Sequence, residues 1–203
     1  MRHLRVMLDA NVLVDAQLRD IFLLLAEREL IELRWSTRLL AELSEVLVGR
    51  MHRQPEVVDR LCTAIARAFP DGEVEVNPAL LAELSAPDPG DVHVLAAAVA
   101  SETDVLVTHD RRGFPPDDEL ADWDLAVLPP AAALEELMVR LGVAVVAEVF
   151  HEATERLSKP RVDLQAQLHR LEEVAPLAGL AIGAALDLPG YRALLADAVG
   201  AQR

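Results

Sequence analysis

Hydrophobic and polar positions alternate between short unbroken apolar runs and helical spacing. Residues 4–8, LRVML, read as a short buried strand that runs directly into Asp9. Leu18, Ile21, Phe22, Leu25 and Leu30 fall close to helical spacing over 18–30. The segment RWSTRLLAELSEVLVGR offers Ser36 as an N-cap and predicts a helix to about Gly49. A further amphipathic helix is predicted over 55–69, starting near Pro55, and EVEV at 73–76 suits a short strand. Asp88 followed by Pro89 sets a cap and a first-turn residue in order, predicting a helix to about Ser101. DVLVT (104–108) and LAVLP (125–129) are the next buried strands.

Strands alternating with helices imply a parallel sheet in a three-layer α/β domain over residues 1–129. After Pro129-Pro130 only helical periods remain. Residues 130–203 are Ala- and Leu-rich, are punctuated by Pro160, Pro176 and Pro189, and predict an all-α extension of four or five helices. Within it Leu164, Leu168 and Leu171 share a face, which most simply serves a core; a surface for a partner helix is the sharper alternative.

Two of the strands end on acids. Ligands of open parallel sheets bind beyond the carboxyl ends of the strands. Asp9 follows the first strand, Asp110 follows the strand ending at Thr108, and Asp91 lies in the first turn of its helix. Glu42 competes with Glu45 for a place at the same rim. Leu39, Leu40, Leu43, Val46 and Leu47 form one apolar arc; Glu42 sits roughly 100° from its centre, at the flank, and Glu45 roughly 160° away on the solvent side. The flank position suits a cleft. Four carboxylates in one cleft repel each other unless a cation is present. Oxygen donors without a His/Cys set suit Mg²⁺ or Mn²⁺, and such an ion supports phosphodiester hydrolysis. Singly, the acids have ordinary explanations: Asp91 suits a helix N-terminus, Asp110 and Asn11 suit turns, and Glu42 suits a solvated helix face. Asp9 is harder to explain that way, because it interrupts a continuous apolar run.

Composition narrows the picture. Only seven of 203 residues are aromatic, so base stacking on an aromatic platform is disfavoured. Cys62 is the one cysteine, which excludes an intramolecular disulfide and a Cys-based zinc cage. Its helical setting suggests a small core residue, and such usage fits a reducing, cytoplasmic compartment. Neither a signal peptide nor a membrane span is expected. The net charge of −15 runs against the basic footprint of a nucleic-acid enzyme and suits a basic partner. Arg50, His52, Arg53, Arg111 and Arg112 are candidates for contacts with RNA phosphates, or solvated loop residues. His93 is read as structural rather than as a ligand, and Trp35 and Trp123 as packing residues.

LDANVLV (8–14), WSTRLLAEL (35–43), PDPGDVHVLAAAVA (87–100) and VTHDRRGFP (107–115) together resemble the PIN domain. More narrowly, they resemble the PIN-domain toxins of VapBC-type bacterial toxin–antitoxin systems. The likeness runs in order over residues 4–129, and the helical tail is similar to the C-terminal extension of a subset of these toxins. It implies a PIN-like, Rossmann-like fold, endoribonuclease activity dependent on Mg²⁺ or Mn²⁺, inhibition by a cognate antitoxin protein, and a possible homodimer. By the same resemblance Asp9, Glu42, Asp91 and Asp110 match the family's acids, with Asp9, Asp91 and Asp110 as metal ligands. Asn11 matches the polar residue that supports the first acid. Thr108 stands two positions before Asp110, as the motif has it, and supports the carboxylates by hydrogen bonding. A non-catalytic interaction module and a phosphatase using Asp9 as nucleophile remain as alternatives; the latter usually needs an Asp where this chain has Asn11.

Overall fold

The computed structural model describes residues 2–156 and 163–200. Contacts divide the chain into two units: Met1–Arg19 with Ala26–Pro129, and Asp20–Leu25 with the residues from Pro130 onward.

The first unit is built on four parallel strands: β1 (Leu4–Leu8), β2 (Ile31–Arg34), β3 (Val105–Val107) and β4 (Ala126–Leu128), in the order β2-β1-β3-β4. Helices α1 (Ala10–Leu13) and α2 (Ala16–Glu27) connect β1 to β2. Helices α3 (Thr37–Glu45), α4 (Pro55–Ala68), α5 (Pro78–Glu83) and α6 (Val92–Ala100) lead back to β3, and α7 (Asp117–Leu120) precedes β4. The chain leaves β1 toward one edge and returns past it to β3. Right-handed crossovers therefore put the two connections on opposite faces, which is the three-layer α/β arrangement of the PIN-like fold. The reversal creates a switch point between β1 and β3, where ligands of such sheets bind. Val6, Leu8, Leu106 and Val107 are almost wholly buried in the middle of the sheet, which explains runs without alternation.

Several local expectations need correction. The strand β2 was not anticipated. It has four residues and abuts a helix, and its alternation, buried Ile31 and Leu33 against half-buried Glu32 and Arg34, is too short to stand out. EVEV is not a strand: Glu73 makes one bridge to Trp35, and Val74 and Val76 stay half-buried. The Ser36-capped helix ends at Glu45 and passes into a π turn over Val46–Arg50. Asp88 caps a 3-10 turn, Pro89–Asp91, that leads into α6. Cys62 is only half-buried, its thiol turned toward the Leu40 carbonyl at 3.6 Å. Trp35 is buried and its indole N–H donates to the Phe69 carbonyl at 2.8 Å, while Trp123 is half-buried.

The second unit contains α8 (Pro130–Leu141), α9 (Val143–Arg156), α10 (Leu164–Val174), α11 (Pro176–Ala185) and α12 (Tyr191–Gly200). It also takes Asp20–Leu25 from α2, a segment expected to lie wholly in the first domain. Leu168 and Leu171 are fully buried, and Leu164 is half-buried. Pro176 opens α11, where its missing N–H costs nothing; Pro160 lies outside the described residues. Gly183 on α11 leaves room for the Tyr191 ring, which any Cβ there would strike. Among the described residues no helix is long and apolar enough to cross a membrane.

Candidate active site

Asp9 follows β1 at the N-cap of α1, yet its side chain does not cap that helix. It is 3% exposed, and its Oδ2 accepts from Asn11 Nδ2 at 2.6 Å and from Thr108 Oγ1 at 2.7 Å. Thr108, fully buried after β3, is satisfied on all sides. Its Oγ1 receives the Asp110 backbone N–H and an Asn11 amide proton, both at 3.0 Å, so its own proton is directed to Asp9. Asn11 Oδ1 accepts from the His109 N–H at 3.0 Å, and the Asp9 N–H donates to the Val107 carbonyl at 2.9 Å. One network thus stitches the ends of two neighbouring strands. Burial pushes the Asp9 carboxyl above the ordinary aspartate value; the Thr108 hydrogen bond opposes this and the charge of Glu42 adds to it.

Asp91 arrives from a different element. Asp88 Oδ1 accepts from the Gly90 N–H at 2.8 Å, fixing the 3-10 turn that ends at Asp91. The half-buried Asp91 carboxylate occupies the space that a side chain at Gly113 would fill, since a Cβ there would strike Asp91 Oδ2. Burial, and then the negative charges of Asp9, Asp88, Glu42 and Asp110, push the Asp91 carboxyl up to about 6. The four acids expected at the rim therefore share one electrostatic field, and Asp88 joins them. Asp110 is exposed, its Oδ1 accepting from the Arg112 N–H at 3.2 Å.

Glu42 is carried by α3, whose first turn is held by Ser36 Oγ accepting from the Leu39 N–H at 3.2 Å. Leu39, Leu40 and Leu43 are buried, Glu42 is half-buried and Glu45 is exposed. His93 Nε2 stands 3.1 Å from Glu42 Oε2, an ion-pair distance at which the alignment falls short of a full hydrogen bond. His93 Nδ1 lies 2.8 Å from the Gly90 carbonyl oxygen. Contact with Glu42 holds the imidazole above its ordinary value against the opposing effect of burial.

The arginines are placed less centrally. The Arg111 guanidinium donates to the Phe114 carbonyl at 3.1 Å and to the exposed Asp117 Oδ1 at 2.6 Å. Arg50, Arg53 and Arg112 are exposed. Sequence reasoning did not assign Asp88, His93 or Gly113 to the site. Asp88 and Gly113 stand inside motifs that were singled out, but only their contacts show what they do.

Among the described residues no group of three or more His, Cys, Asp or Glu side chains stands in an arrangement that can hold a metal ion. The donor chemistry nevertheless fits a hard divalent cation: the groups are carboxylates, and the elevation of Asp91 by four anionic neighbours is what a cation would relieve.

A family model described as PIN domain matches residues 5–112. Comparisons with curated proteins and with solved structures give no match.

Proposed function

The chain belongs to the PIN-domain family, generally metal-dependent nucleases, and from that premise we propose that it is a Mg²⁺- or Mn²⁺-dependent endoribonuclease, the toxin of a type II toxin–antitoxin system. The observation that carries the reading is the gathering of acids around Asp91, held against Gly113 after β3 and in the field of Asp9, Asp88, Glu42 and Asp110, which with burial raises its carboxyl. Anionic charge concentrated at this position serves a cation better than it serves the fold.

Asp9, Asp91 and Asp110 would hold the metal, which when bound supplies a more acidic water and stabilises charge on the phosphate. Asn11 and Thr108 keep the Asp9 carboxylate in one orientation, through bonds of 2.6 and 2.7 Å. Glu42 orients water and takes its proton. Exposed Arg50, Arg53 and Arg112, together with Arg111, receive RNA phosphates near the cut. The products carry a 5′-phosphate and a 3′-hydroxyl. A cognate antitoxin completes the system. A basic antitoxin segment would complement the net charge of −15. The reading implies a cytoplasmic location, and the family resemblance allows a homodimer.

The test is cleavage of total bacterial RNA by the purified chain with Mg²⁺, Mn²⁺ or EDTA, with the new ends mapped. Cleavage that requires metal and disappears in Asp9→Asn supports the proposal. Equal inertness of both chains under every metal rejects it.

A further inference from the structure

We propose that His93 is a positioning residue that holds Glu42 in its working orientation, a role whose catalytic meaning rests on the nuclease reading above. The imidazole lies between two acceptors. Its Nδ1 is 2.8 Å from the Gly90 carbonyl oxygen, which can only accept, so Nδ1 carries a proton. Its Nε2 is 3.1 Å from Glu42 Oε2, and two bare acceptors at that distance would repel, so a proton lies between them as well. Both atoms are shut off from solvent and have no other hydrogen-bonding partner. Each is the one group placed to match the other, and a buried carboxylate oxygen left unmatched is costly.

The geometry has a further effect. The Gly90 carbonyl belongs to the 3-10 turn that carries Asp91, and Glu42 belongs to α3. The ring therefore ties the Glu42 carboxylate to the Asp91 turn. With Oε2 committed to His93, Oε1 is the oxygen left for water.

The experiment compares His93→Gln, which sets an amide nitrogen near the Nε2 position, with His93→Asn, which reaches only the Nδ1 position. Each is made alone and with Glu42→Gln. His93→Asn should lower kcat by about 10- to 100-fold with little change in KM, and should lower the melting temperature as well because Glu42 Oε2 is left unmatched, while His93→Gln should recover part of both losses. In the Glu42→Gln background His93→Asn should cost almost nothing further, because the two act as a unit. Equal losses in the Gln and Asn variants, or full additivity with Glu42→Gln, overturn the proposal. The ¹⁵N-edited imidazole spectrum of the metal-free chain gives a readout without activity. The Nε2 resonance should move on Glu42→Gln, and an Nε2 signal indifferent to that change overturns the proposal. If the wild-type chain cuts no RNA, the nuclease reading fails and this spectrum alone decides the His93–Glu42 contact.

Discussion

Asp9 and Asp91 are both raised above the ordinary aspartate value, chiefly by burial, yet their surroundings differ. Asp9 receives two short side-chain hydrogen bonds from groups that are themselves held by backbone N–H donors and by each other. Asp91 sits at the end of a 3-10 turn against Gly113, in the field of four other acids. The strand side fixes geometry before any ligand arrives. The turn side holds charge whose cost falls when a cation binds.

The contrast breaks most visibly at Gly113. Gly113→Ala puts a methyl group where Asp91 Oδ2 now lies, so Asp91 must move. Metal-dependent cleavage should drop by about 100-fold, the scale expected for misplacing a reacting group by an ångström. Single-turnover rates check this, and an unchanged rate would show that Asp91 is not held where it acts.

Thr108→Val attacks the strand side. It keeps the shape but removes the proton given to Asp9 and the acceptor for the Asp110 N–H. A loss of about 2 kcal/mol is expected, typical of a hydrogen bond to a charged group, readable as a lower urea midpoint at unchanged slope. A smaller effect would mean that Asn11 alone suffices.

Asp91→Asn should do the opposite. With no added metal it removes a repelled charge and should raise the melting temperature slightly at pH 7. With Mn²⁺ present the wild type should be the more stabilised of the two. The same comparison extends to pH. Because the folded state raises the Asp91 carboxyl from 3.8 to about 6, its contribution to stability is complete below the lower value. That contribution is lost as pH rises through the higher one. Asp9 acts in the same direction. Melting curves of the metal-free chain should decline over that window, and Mn²⁺ should flatten the decline.

Much of the first unit could be read from residue order. The apolar runs of β1 and β3 are buried on both faces, the edge strand β4 buries Val127, and Ser36 and Asp88-Pro89 announce their turns through their own side chains. Glu42 was separable from Glu45 because an amphipathic helix fixes angles around its axis. What escaped depends on partners distant in the chain. The strand β2 exists because Ile31–Arg34 pair with Leu4–Met7, whereas EVEV alternates as well and finds one bridge. The use of His93 and of Gly113 is set by Glu42 and Asp91, which no local pattern encodes.

The hydrogen bond from Thr108 to Asp9 joins residues 99 positions apart. During synthesis Asp9 leaves the ribosome long before its partner exists, and closing so long a loop is slow compared with forming the helices between. A chain interrupted anywhere before β3 therefore lacks a complete acid site, whatever local structure it has already formed. Cutting activity, once measurable, doubles as a clock for the moment at which the ends of β1 and β3 meet.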